Sequence, residues 1–343
     1  MSSKFLPLLE SAQSLTPAQQ RGVAAILGAC VADAAARPLH WVYSQSDLKT
    51  YIQDRADRPD FLPQSRSPFY TLPTGENSCY FDIAHSVLGA LGGGEYDYDR
   101  ICQRFLSDFG PGTRYDMAKR EEYMQLRREG RIDGPIEGKW MHGALIKFME
   151  NRKAGRRPYG NDHIKETDGF CAALPVVAKF AGQASLKARV DEVIQTLSSW
   201  PTAVSHGHVA ARIVEQFILG HENAIQEVRA QVKDEYPDVY RSLGVVEDKL
   251  GLDHVQAVQT VFGSPCYNPG SFQGALHAFQ REESFPEAVR STIRAGGCNC
   301  SRSLFIGACA GAKHGLDAIP MEWLEKTTDA ETVFKQALAA FGK

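Results

Sequence analysis

Gly28-Ala29-Cys30-Val31-Ala32-Asp33-Ala34-Ala35-Ala36-Arg37-Pro38 is the stretch on which the reading of the fold turns. It is a small-residue, apolar helix with one acid inside it. A carboxylate there is costly to bury unless it is paired or hydrogen-bonded. Asp33 therefore either pairs with Arg37 one turn on or lines a cleft. Thr16-Pro17 upstream reads as N-cap and first-turn proline, and Pro38 stops the helix near Arg37.

Outward from this helix, helical periodicity dominates the chain. It recurs over 82–91, 97–109, 139–152, 169–183, 187–198, 208–219, 223–233, 253–262, 271–281, 286–295 and 304–314. One or two closing helices follow over 321–341. The charged stretch 116–131 predicts a solvated helix, and the prolines of 42–80 predict loop. No alternating β-branched runs with hairpin turns occur. No linker divides the 343 residues, so the expectation is all-α: one compact multi-helix domain over 1–343, of perhaps a dozen helices.

Composition narrows the function classes. Hydrophobic residues are 43% and charged residues 23%, which is globular. Lys plus Arg (38) nearly balances Asp plus Glu (41), which argues against nucleic acid as a partner. The richest apolar run, 23–36, is broken by Asp33, so no membrane span or membrane partner is expected. The N-terminus lacks a signal-peptide pattern, and eight scattered cysteines do not suggest a disulfide framework. These features point to a reducing, cytoplasmic setting.

Four constellations carry possible chemistry. In Gly296-Gly297-Cys298-Asn299-Cys300-Ser301-Arg302, the glycines end one helix and Asn299 or Ser301 can cap the next. Thiols at a helix N-terminus beside an arginine should titrate low. In Gly75-Glu76-Asn77-Ser78-Cys79-Tyr80-Phe81-Asp82, Asn77 or Ser78 can cap, and Asp82 and His85 share a helical face. In Ser205-His206-Gly207-His208, two histidines could bind a metal, although a Ser205 cap with exposed histidines is the simpler reading. The basic loop Arg152 to Arg157 could take a phosphate or be plain surface. Cys171 and Cys309 lie in apolar helical stretches and read as core. There is no P-loop, GxGxxG, HExxH or GxSxG.

Taken together, these segments resemble the ADP-ribosylglycohydrolase family, closest to its J-type lens crystallin and selenoprotein J branch. The residues from Gly28 to Asp33 resemble the family's first helix. Thr167-Asp168-Gly169 to Pro175 resembles its middle ligand loop, and Ser205-His206 its Thr-His motif. Ile293 to Gly297, Gly307 to Gly315 and Ile319 to Leu324 resemble its C-terminal signature. The likeness covers about residues 20–330. It implies an all-α fold and a cleft for ADP-ribose or an ADP-ribosylated substrate, with Asp33, His40, Asp168, Gly169, His206, Gly296 and Gly297 near the ligand.

The resemblance also implies a binuclear magnesium site, and here the chain departs. Asn77-Ser78-Cys79 stands for a Thr-Asp-Asp run, while Cys298, Cys300 and Ser301 stand for an Asp-x-Asp-Thr run. His40 stands for a glutamate, and Ala173 lies near the place of an arginine. Magnesium wants oxygen ligands and thiolates suit softer ions, so magnesium should be weak or absent and zinc is the alternative. If the fold superposes, Cys79, Cys298 and Cys300 converge on one thiol-rich site, with Cys298, Cys300 and Asp33 as catalytic candidates. A non-catalytic structural protein of lens-crystallin type is the alternative function.

Overall fold

In the computed structural model, which describes residues 4–92 and 94–341, the chain forms eighteen α-helices among the described residues. The first nine are α1 (Leu6–Ala12), α2 (Pro17–Ala36), α3 (Gln45–Ile52), α4 (Cys79–Leu91), α5 (Tyr98–Phe109), α6 (Met117–Arg128), α7 (Gly143–Lys153), α8 (Asp168–Phe180) and α9 (Leu186–Leu197). The second nine are α10 (Pro201–Leu219), α11 (Ala224–Gln231), α12 (Pro237–Lys249), α13 (His254–Ala257), α14 (Gly270–Arg281), α15 (Phe285–Ala295), α16 (Asn299–His314), α17 (Met321–Lys326) and α18 (Ala330–Phe341). Two two-residue strands, β1 (Tyr70–Thr71) and β2 (Ile136–Glu137), pair in parallel.

Local chemistry explains the boundaries. Thr16 and Gln19 form a reciprocal capping box at the start of α2, with Pro17 in its first turn. Ser78 caps α4 through Tyr80 N, and Asp97 caps α5 through Arg100 N. Three expectations need correction. The proline-rich 42–80 segment contains α3, started by a Ser44 cap. Ser205 and His206 lie inside α10, which starts at Pro201, so Ser205 is no cap. Cys298 is the N-cap residue of α16 without a side-chain cap bond, so neither Asn299 nor Ser301 plays that part.

Helix α2 is the axis of a single all-α domain. It packs most closely on α16, where Gly28, Gly307 and Gly311 let two backbones meet. A Cβ at Gly307 would lie 2.1 Å from Gly28 O, and one at Gly311 would lie 2.0 Å from Ala24 O. By length and hydropathy (1.4) the segment Pro17–Leu39 would pass as a membrane span, against the expectation that no stretch does. Its apolar window is wholly buried by the other helices, as for a core helix. One continuous core runs from Phe5 to Phe341, with a satellite of Ala257, Val258, Phe262 and Ala295.

Candidate functional site

Asp33 is fully buried on α2, facing the N-terminus of α4. Its Oδ2 accepts from Ser78 N (2.7 Å) and Asn77 Nδ2 (3.0 Å), and its Oδ1 from Ser78 Oγ (2.5 Å). Burial pushes the carboxyl pKa up in spite of these bonds. Arg37 is not its partner, as the simpler reading had it. The guanidinium donates to Pro73 O (2.6 Å) and Glu76 O (3.1 Å) instead. Asp33 thus ties α2 to α4.

The double glycine brings the second segment in. Gly296 and Gly297 adopt left-handed φ of 73° and 65°, which glycine alone takes without strain. Side chains there would strike Val42 O and Ser264 O. Gly297 N donates to Val42 O (2.7 Å), and Trp41 N donates to Gly297 O (2.8 Å). This crossing sets His40 against Cys298, with Nε2 3.3 Å from Sγ. His40 Nδ1 lies 2.8 Å from the Tyr70 hydroxyl, and its ring stacks on Trp41 at 4.1 Å. Trp41 itself holds a left-handed φ of 64°, uncommon for a bulky residue.

The two thiols of this motif behave oppositely. Burial alone would raise Cys298. Hydrogen bonding by Cys266, the His40 imidazole and Ser301 outweigh it, and Cys298 titrates well below a free thiol. The Tyr80 hydroxyl is 3.4 Å from the same sulfur. Cys300 is pushed well up by burial and by the Asp33 carboxylate, and its thiol faces Asp33 O at 3.8 Å. The expected low pKa therefore holds for Cys298 and fails for Cys300. Cys79 has other neighbours again, His142 and Tyr115. The three thiols expected to form one site stand with three different sets of partners. All eight cysteines are free and buried.

The middle loop builds a third part. Asp168 Oδ1 lies 2.6 Å from His142 Nδ1, and His142 packs edge-on against Tyr80 at 4.3 Å. Burial opposes charge on His142, but Cys79 and Asp168 raise its pKa well above the usual imidazole value. Gly169 packs on Ile194, where a Cβ would come within 3.0 Å. His206 is buried, with Nε2 3.0 Å from Ser242 Oγ and Nδ1 2.8 Å from Thr202 O. Burial lowers its pKa. His208 is also buried, 2.9 Å from Asp191, so the expectation of exposed histidines fails. Thr167, His206, Asn268 and Ser301 line a narrow cleft with Phe170, Phe272 and Phe305, whose water-accessible space is about 10 Å³. That is room for about one water and far below the ~300–1,000 Å³ usual for small-molecule sites.

The magnesium expected from the resemblance does not fit these residues. Ser78 Oγ is spent on Asp33, Asn77 Nδ2 on Cys30 O and Asp33, and Ser301 Oγ on Ser271 and Cys298 O. The remaining donors, Cys79, Cys298 and Cys300, are sulfur, which suits a hard cation poorly. Among the described residues no group of three or more His, Cys, Asp or Glu is arranged to hold a metal ion, zinc included.

Several neighbours had no signal in the sequence. Cys266, half-buried Glu166, His142 and Lys139 belong to no motif and reach the site only through the fold. Tyr80 was visible within the Asn77-Ser78-Cys79 segment but was passed over. The basic loop is occupied locally, since Arg152 and Arg157 stack on Tyr159 and Arg156 donates to Asn151.

Comparison with known proteins adds lineage to this geometry. Crystallin J1A of Tripedalia cystophora is 29% identical over 324 residues, covering 93% of this chain and 96% of its own length. Crystallin J1B of the same animal is 28% identical over 322 residues, covering 93% and 95%. A solved structure described as an ADP-ribosylglycohydrolase-related protein complex shares the fold, with a TM-score of 0.63, 20% identity and coverage of 95% and 98%. The profile of ADP-ribosylglycohydrolase matches residues 14–342. With that match running across the first helix, the middle loop and the double-glycine crossing alike, the chain belongs to the ADP-ribosylglycohydrolase family.

Proposed function

We propose that this chain binds ADP-ribose-like ligands without a divalent metal, with Cys298 as the reactive group beside them. The observation that carries the reading is a set of unpartnered buried oxygens at the pocket. Asp168 Oδ2 and Asn268 Oδ1 have no hydrogen-bond partner within the chain, and Thr167 Oγ1 has only the Cys171 thiol beside it. Thr167 and Asn268 line the pocket, and Asp168 adjoins Thr167. An unsatisfied buried polar group costs about 1–3 kcal/mol. A ligand bringing hydroxyl or amine donors, as ribose and a nucleobase do, would relieve that cost, provided that Phe170, Phe272 and Phe305, which close the cleft to about 10 Å³, part to admit it. Hydrolysis of ADP-ribosyl bonds extends the same reading. It would appear as ADP-ribose released in EDTA and lost in Cys298→Ser.

Calorimetric titration with ADP-ribose, once with magnesium and once with EDTA, tests the proposal. Equal affinity in both buffers supports it. Binding that needs magnesium overturns the metal-free part. No binding in either buffer overturns the ligand reading. It would then favour a structural role of the kind the relatives' crystallin names suggest, one consistent with Asp33 already being satisfied within the chain.

A further inference from the structure

A buried cation stands where the N-terminal end of α4 meets the loop before α7, and the chemistry above does not use it. Lys139 is 8% exposed. Its ammonium lies 2.6 Å from Asp82 Oδ2, 2.8 Å from the Asn77 carbonyl oxygen and 3.8 Å from Glu76 Oε2. The Tyr115 hydroxyl donates to the same Asp82 oxygen at 2.5 Å. Arg114 closes the outer side through Glu76 at 2.6 Å. Two carboxylates therefore meet two cations, and the charge in this corner balances.

Lysine is almost never buried unless it is paired. The set around this one is two carboxylates, a peptide carbonyl and a phenol, all hard oxygens of the type that divalent ions take. The ammonium is a compact point charge with three donors, and it reaches this set on a flexible stem. The segment it contacts is also the Asn77-Ser78-Cys79 run, whose side chains turn inward to Asp33, Cys30 and His142.

We infer that Lys139 is a tethered cation that supplies at the start of α4 the positive charge a bound divalent ion would otherwise provide. The site is thereby complete without metal. The inference rests on the metal-free half of the reading above, and its test does not involve ADP-ribose. Failure of ligand binding and failure of this assignment are therefore separate results.

The test is manganese binding, read by electron paramagnetic resonance, together with thermal melting of the full chain. Wild type is expected to take up no Mn²⁺ and to melt at the same temperature in magnesium and in EDTA. Lys139→Ala frees Asp82, Glu76 and the Asn77 carbonyl. It should bind one Mn²⁺ per chain, melt lower, and recover with magnesium or with propylammonium, the deleted fragment. Lys139→Arg, which keeps the charge, should bind no Mn²⁺. Adding Asp82→Asn to Lys139→Ala should abolish the gain. If Lys139→Ala does not fold, Lys139→Gln carries the same comparison at nearly the same side-chain size. Mn²⁺ uptake by wild type, no uptake by the uncharged variants, or uptake that survives Asp82→Asn each overturns the assignment.

Discussion

At Cys298, burial and hydrogen bonding pull the thiol in opposite directions, and hydrogen bonding prevails. The thiolate is the ionised form, so this sulfur carries charge at a pH where Cys300 and Cys266, both pushed up, do not. Replacing His40 removes one of the stabilising neighbours at 3.3 Å. The sulfur is fully buried, so the readout is the ultraviolet absorbance of the thiolate, taken as the difference from Cys298→Ser, and not attack by a reagent. In His40→Ala its pH midpoint should move up toward the ordinary 9.0. An unchanged midpoint would remove His40 from this role. Glu166 gives a second handle. Burial, with the Asp168 charge, pushes its carboxyl from 4.5 up to about 8. The unfolded chain ionises this group first as pH rises, so its contribution to stability is lost between 4.5 and 8 and is level above. Glu166→Gln should flatten that slope in urea midpoints taken across the window. Parallel curves for variant and wild type would count against the shift.

Among the elements, the α2–α16 crossing is the most exacting contact. Gly307→Ala would place a methyl 2.1 Å from the Gly28 carbonyl oxygen, and neither backbone can yield cheaply. Overpacking of this kind costs about 1–3 kcal/mol or more, and rigid backbone on both sides puts this case at the upper end. Gly251→Ala, with nothing within 4 Å of its added methyl, should be neutral or slightly stabilising. Comparing the two urea midpoints checks the claim, and a Gly307→Ala as stable as Gly251→Ala would refute it. The crossing also shows why some elements were legible. The ends of α2 were plain because Thr16-Pro17 and Pro38 are local signals. The start of α10 was misread because Ser205 looked like a cap, whereas Pro201, a first-turn proline, was the real signal. Helix α3 was hidden by the surrounding prolines, although Ser44 marks its start.

For the molecule as a whole, fold and family were legible because several ordered segments agreed, and the domain model matches from residue 14 to 342. The site was legible in part. Asp33 with Asn77-Ser78 could be named from within short motifs, as could Cys298. The partners that decide their chemistry could not. Cys266 and Glu166 are 100 residues apart yet 3.5 Å in space, and Lys139 reaches back 62 residues to Asn77. No local pattern records such meetings; they follow from how the helices stack on α2. That central position bears on synthesis. Gly28 and Gly307, which touch in the finished protein, are 279 residues apart (307 minus 28). At ~5–20 residues per second, α2 waits roughly 14–56 s for its principal partner to be made. During that interval the nascent chain carries an apolar helix of membrane-spanning length with its final cover missing. Burial of α2 is therefore completed only after α16 has been made.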